Sequence, residues 1–187
     1  MKYSFLIIAL VVLASCATPR QAPITENTHT GLDPNENREE ANQAGDGNVL
    51  IGPTTRVAFE QAPYSEWFHP MYLKYKPNET IMEELQPLLE GVSIKGYIGS
   101  WCLDSQREVP RFFKILDAAR FPYARLELIS LREDKTSLAG EEKADNVTAV
   151  PTFIFYKDGK ELGRIIETAY PTLEMNMVQV LSGKSQN

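Results

Sequence analysis

Trp101-Cys102-Leu103-Asp104-Ser105 follows an apolar, strand-like run and holds the side chain best suited to covalent chemistry. A cysteine thiolate attacks disulfides. In a Cys-x-x-Cys pair the second thiol then breaks the mixed disulfide and releases the product. Ser105 stands at that second position, and a hydroxyl cannot do this work. The segment therefore points to a thiol nucleophile that lacks a resolving partner of its own.

Ser105-Gln106-Arg107-Glu108 reads as a capping box, which predicts a helix starting at about Gln106 with Ser105 as its N-cap. Cys102 would then lie just before a helix N-terminus, where free amides and the positive dipole end favour an anionic sulfur. Arg107, one turn on, would add to that effect, and the Asp104 carboxylate would oppose it.

The elements around this segment are legible from periodicity. Asn78 or Thr80 can cap a helix carrying Ile81, Met82, Leu85, Leu88 and Leu89 on one face, with Pro87 kinking or shortening its end. Val92 to Ile98 reads as a buried strand leading into the Trp-Cys loop. A helix with Val109, Phe112, Phe113 and Leu116 follows, then a strand over 124–131, then a charged stretch, 132–148, with a short, weak helix. Asp158-Gly159 between Thr152–Tyr156 and Glu161–Ile166 predicts a hairpin. Pro171, at or near a helix start, opens a last helix bearing Leu173, Met177, Val178 and Leu181.

The chain of 187 residues suits one well-cored domain with appendages. Lys2, the apolar run Phe5 to Leu13 and the small residues Ala14-Ser15 read as a signal peptide, 1–15. That run is shorter than the roughly 20 residues that span a bilayer. Leu13-Ala14-Ser15-Cys16 resembles a bacterial lipobox, which makes Cys16 the expected site of lipidation; the alternative is cleavage nearby, with Cys16 left as an ordinary thiol. Ala17, not Asp, follows, which by the sorting pattern of enteric bacteria implies the outer membrane, facing the periplasm.

Residues 16–48 then form the expected lipidated, disordered tether, polar and without apolar periodicity; His29 lies in it as a solvated side chain. Residues 49–78 carry Phe59, Tyr64, Trp67, Phe68, Tyr72 and Tyr75 among Pro63, Pro70 and Pro77. They are expected to pack on the domain of 79–187 as an aromatic-rich extension, with a ring-lined substrate groove as the alternative and His69 sharing the packing role. The net charge of −6 argues against nucleic acid or anionic lipid headgroups as partners. No cofactor or metal site is implied. With Cys16 acylated, Cys102 would be the one free thiol, and no internal disulfide could form.

The order of elements, with Trp101-Cys102 after the first strand and Val150-Pro151-Thr152 opening the hairpin, resembles the thioredoxin family over about 79–181. Pro110, eight residues after Cys102, matches the family's helix proline, and Gly159 and Gly163 match its terminal hairpin. The resemblance is to lipoprotein-type members with a single active-site cysteine. It implies an α/β, thioredoxin-like three-layer fold with a central mixed sheet and a C-terminal hairpin plus helix. It also implies that Pro151 is a cis-proline facing the thiol, with the backbone of Val150 and Thr152 pairing with substrate and Trp101 shielding the loop. Gly96 stands where the family carries a buried Asp that serves the resolving thiol, so both parts of that device are absent.

The expected function is monothiol thiol-disulfide exchange through Cys102, on protein or small-molecule thiols and disulfides, resolved by an external or substrate thiol. The alternative is a non-catalytic binding module of the cell envelope with Cys102 incidental. Peroxidase action fits less well, because Lys95 to Cys102 does not reproduce Pro-x-x-x-Thr-x-x-Cys.

Overall fold

The computed structural model of the protein describes residues 36–183. The expected signal peptide, the lipidation site Cys16, His29 and the tether up to residue 35 lie outside the described residues. Strands β3 (Val92–Ile98), β4 (Leu126–Ser130), β5 (Thr152–Lys157) and β6 (Lys160–Ile166) form the heart of a mixed sheet. β3 runs parallel to β4 and antiparallel to β5, and β5 and β6 close the Asp158-Gly159 hairpin.

Two strands the sequence did not announce extend the sheet. β1 (Arg38–Ala41) pairs antiparallel with β2 (Asn48–Pro53), which joins β4, giving the order β1-β2-β4-β3-β5-β6. Residues 36–48 were expected as tether because Arg38-Glu39-Glu40-Ala41 shows no apolar alternation. This edge strand is exposed apart from the half-buried Glu40, so it needs none. What holds it is the turn, where Asn42 N donates to Gly47 O (2.8 Å), and the fork of Arg132 on Glu40 (2.7 and 3.0 Å).

Helices α1 (Arg56–Phe59), α2 (Ser65–Lys74), α3 (Glu79–Leu88), α4 (Leu103–Ala118) and α6 (Leu173–Leu181) share the larger core, with Phe59, Phe68, Leu85, Phe112, Phe113 and Met177 buried in it. Asn78 caps α3, its side chain accepting from Ile81 N at 3.2 Å, and Pro87 falls in that helix's last turn. The aromatic extension lies on α4. Phe59 stacks on Phe68 with centroids 5.4 Å apart, and Phe68 meets Phe113 edge-on at 5.7 Å. Such pairs add about 0.5–1.5 kcal/mol each beyond the area they bury. His69 departs from its expected packing role: it is exposed and meets the Glu60 carboxylate at 2.5 Å.

Alternation along β3 sends Val92, Ile94 and Ile98 to this core and Tyr97 to the other face. There a smaller core of Tyr97, Ile129, Leu131, Val147, Val150 and Ile154 is covered by 131–150, whose regular part is the short helix α5 (Glu141–Ala144). The fold is α/β in three layers: helices, a mixed six-stranded sheet, and this thin second cover.

Candidate functional site

The helix carrying the site begins earlier than the capping box predicts. α4 starts at Leu103, and Cys102 itself occupies the N-cap position with extended backbone (φ −88, ψ 125). Its carbonyl accepts Gln106 N at 2.9 Å, and its own amide donates to Gly99 O at 2.9 Å. Ser105 is therefore not the cap. It is wholly buried, and its hydroxyl accepts the Gly99 amide at 3.1 Å, so it holds the Trp-Cys loop and not the helix end. Glu108 likewise does not reach back to complete a box. Its carboxylate is 1% exposed and accepts from Arg107 Nε (2.8 Å) and Arg111 (3.1 Å).

The sulfur of Cys102 is half-buried and donates to Val150 O at 3.3 Å. The Val150–Pro151 peptide, immediately before β5, is cis, and its carbonyl is the one the thiol meets. Thr152 is buried, and its hydroxyl donates to Ala149 O at 2.7 Å, bracing the turn before the strand. Glu167 N donates to Pro151 O at 2.7 Å, which fixes the alternation of the β5–β6 ladder. By that alternation Thr152 turns its own amide and carbonyl toward Tyr97 in β3. Of the two backbones expected to meet a substrate, Val150 is the one left at the thiol.

Arg107 is placed differently from expectation. Its guanidinium pairs with Asp104 at 2.6 Å and Glu108 at 2.8 Å, and it donates to Thr168 Oγ1 at 2.7 Å. The Glu108 and Asp104 partners hold the guanidinium above its ordinary range despite some burial. Its charge offsets Asp104, and through Thr168 it ties the first turns of α4 to the segment after β6. Thr168 also donates to Asp104 at 3.3 Å. Nothing in the local pattern around Thr168 marks this role, because its partners are some 60 residues distant in sequence.

Trp101 is half-buried, and its indole Nε1 donates to Leu131 O at 3.0 Å, so the ring closes the loop against the end of β4. A Cβ at Gly99 would come within 2.7 Å of that ring, which is why glycine stands there. Two contacts that sequence reasoning missed complete the loop. Gln106 donates to Ser100 O at 2.8 Å, and the Ser100 hydroxyl accepts Leu50 N at 2.9 Å, joining β2 to the site. At Gly96 a Cβ would meet Leu128 Cδ1 at 2.7 Å and Phe153 Cδ1 at 3.2 Å, so apolar side chains fill that position. Among the described residues no cluster of His, Cys, Asp and Glu could hold a metal ion.

No family model matches the chain. A thioredoxin-like protein of Acanthamoeba polyphaga mimivirus is 24% identical over 90 residues, which is 48% of this chain and 63% of that protein. The match thus spans less than two thirds of that relative. A crystal structure of a protein of unknown function from Pseudomonas aeruginosa superposes with a TM-score of 0.55 at 14% identity, covering 72% of this chain and 95% of that one. Fasciola hepatica thioredoxin superposes more loosely, with a TM-score of 0.36 at 22% identity over 52% of this chain and 88% of its own. The parallel β3–α4–β4 unit with a cysteine at the head of α4, the antiparallel hairpin opened by a cis-proline, and the closing helix α6 give this chain a thioredoxin-like fold.

Proposed function

We propose that the protein carries out thiol-disulfide exchange through Cys102 as a monothiol, on protein or small-molecule disulfides. The observation that carries this reading is the pairing of one half-buried sulfur, at the N-cap of a sixteen-residue helix, with the cis-Pro151 peptide. Cys102 thiolate attacks one sulfur of a substrate disulfide, forming a Cys102 mixed disulfide and expelling the other sulfur as a thiolate. A second thiol, from the substrate or from an external low-molecular-weight donor, attacks that mixed disulfide. It takes the substrate sulfur into a new disulfide and returns the Cys102 thiolate. Ser105 cannot perform this second attack, and its hydroxyl is already committed to Gly99.

The leader-like run before Cys16 supports an exported protein, lipid-anchored through Cys16 in the cell envelope, with Ala17 favouring the outer membrane facing the periplasm. The second reading, a non-catalytic binding module, draws on the absence of both a resolving cysteine and a carboxylate at position 96. Capture of partners as mixed disulfides separates the two. Disulfide-linked partners seen with the native chain should vanish with Cys102→Ser; partners retained equally by both would establish non-covalent binding and end the exchange reading.

A further inference from the structure

We propose that the free edge of β6 is a docking strand for extended polypeptide, so that the substrate class of the thiol site is a protein segment in β-conformation. This deepens the exchange reading above and rests on it for the covalent step. β6 is the last strand of the sheet, and a groove of about 530 Å³ runs between its edge and α6. Thr168, Tyr170, Val180 and Asn176 line it together with β6 itself.

The chemistry of that edge selects its occupant. Ile165 and Gly163 fall in the hydrogen-bonded register with Phe153 and Phe155, as the Glu167 to Pro151 bond requires. The amides and carbonyls of Arg164 and Ile166 therefore point away from β5, and among the described residues nothing bonds to them. Alternating donors and acceptors at strand spacing are matched by another extended backbone. Beside them Ile166 is 51% exposed and Tyr170 85% exposed, giving apolar contacts for the alternate side chains of such a strand.

Two residues that line the groove are tied to the elements carrying the thiol. Ile166 pairs with Thr152, next to cis-Pro151, and Thr168 bonds both Asp104 and Arg107 in the first turns of α4. Strands lie about 4.8 Å apart, so a segment on the β6 edge is about 10 Å from β5, a gap that three or four extended residues cover. A substrate cysteine at one end of the docked strand can thus reach Cys102.

The test uses the full chain in detergent micelles, with Cys16→Ser so that Cys102 is the one thiol. Two probes share a leaving group: 2,2′-dithiodipyridine, and a peptide of alternating valine and threonine, lysine at both ends, whose single cysteine is held as a thiopyridyl disulfide. In each, Cys102 sulfur bonds to the probe sulfur and thiopyridone leaves, so no added oxidant is needed. Ile166→Pro removes one outward donor while leaving the β5 ladder intact. It should slow reaction with the peptide by about tenfold, the scale of lost edge hydrogen bonds. Reaction with dithiodipyridine should not change.

Equal peptide rates in the two proteins would overturn the docking strand and leave the exchange reading standing. If Cys102 reacts with neither probe, the exchange reading fails, and hydrogen exchange with the Cys→Ser peptide decides the docking strand alone. Slowed exchange of the Arg164 and Ile166 amides supports it, and unchanged exchange overturns it. Protection of those amides already in the free protein also overturns it: loss on dilution would assign the edge to a second copy, and persistence to the chain itself.

Discussion

The Ser105 hydroxyl lies 3.1 Å from the amide nitrogen of Gly99 and accepts its proton, both groups buried behind the Trp-Cys loop. The residue at the resolving position thus holds the loop that presents the thiol. Ser105→Ala would leave the Gly99 amide without its partner, a loss of about 1–3 kcal/mol for a buried donor. Urea unfolding followed by circular dichroism should show that drop. Unchanged stability would mean that the loop is held elsewhere.

Gly96 gives a second stability test, of opposite sign in volume. A methyl group there meets Leu128 Cδ1 at 2.7 Å and Phe153 Cδ1 at 3.2 Å. Overpacking of this kind costs about 1–3 kcal/mol. Gly96→Ala should lower the urea midpoint, and Leu128→Val in the same chain should recover part of the loss by freeing space.

Arg107 sits between Asp104 and Glu108, so Arg107→Gln uncovers the Asp104 charge two residues from the thiol. Reaction of Cys102 with the dianionic 5,5′-dithiobis(2-nitrobenzoate) should slow several-fold at low salt, and less at high salt, where such fields are screened. The neutral 2,2′-dithiodipyridine should be little affected. Equal slowing of both would place the change at the sulfur or its loop, and not in the field the anionic reagent meets.

Acid should unfold the protein through two carboxylates at opposite faces of the sheet. Burial alone would raise Asp117, but hydrogen bonds from Tyr123, Tyr72 and Arg56 outweigh it and hold the carboxyl below its ordinary range. Burial alone would likewise raise Asp145, but hydrogen bonds from Tyr97 and Lys95 outweigh it and hold this carboxyl below its ordinary range too. Unfolded aspartates take up protons near pH 4, while the folded pair stays ionised to lower pH. Between those limits the unfolded chain binds more protons, so the stabilisation is complete above about pH 4 and lost as pH falls through the folded values. Urea midpoints should fall steeply below that pH, and Asp117→Asn should flatten the fall.

The reading of Ser105 shows how local signals compete. S-x-x-E is a sound helix-start pattern, yet the loop already supplied a cap through the Cys102 carbonyl, and Glu108 found two arginines on its own helix. The β1–β2 pair was hidden for a different reason. Its outer strand is charged and mostly exposed, held by the ladder to β2, the Asn42–Gly47 turn and the Arg132 fork from some 90 residues away.

What the sequence determined by itself was the order of elements from α3 to α6 and the solitary thiol at the end of the first strand of the β-α-β unit. Apolar spacing, the Asp-Gly turn and the Asn78 cap act within a few residues, so they survive in a linear reading. Only the tertiary structure decided what surrounds the sulfur: Val150 O as its partner, Thr168 brought in from after β6 to Arg107 and Asp104, and the outward rungs at Arg164 and Ile166. Those relations depend on chain segments folding back across the sheet, and no local pattern encodes which distant group arrives.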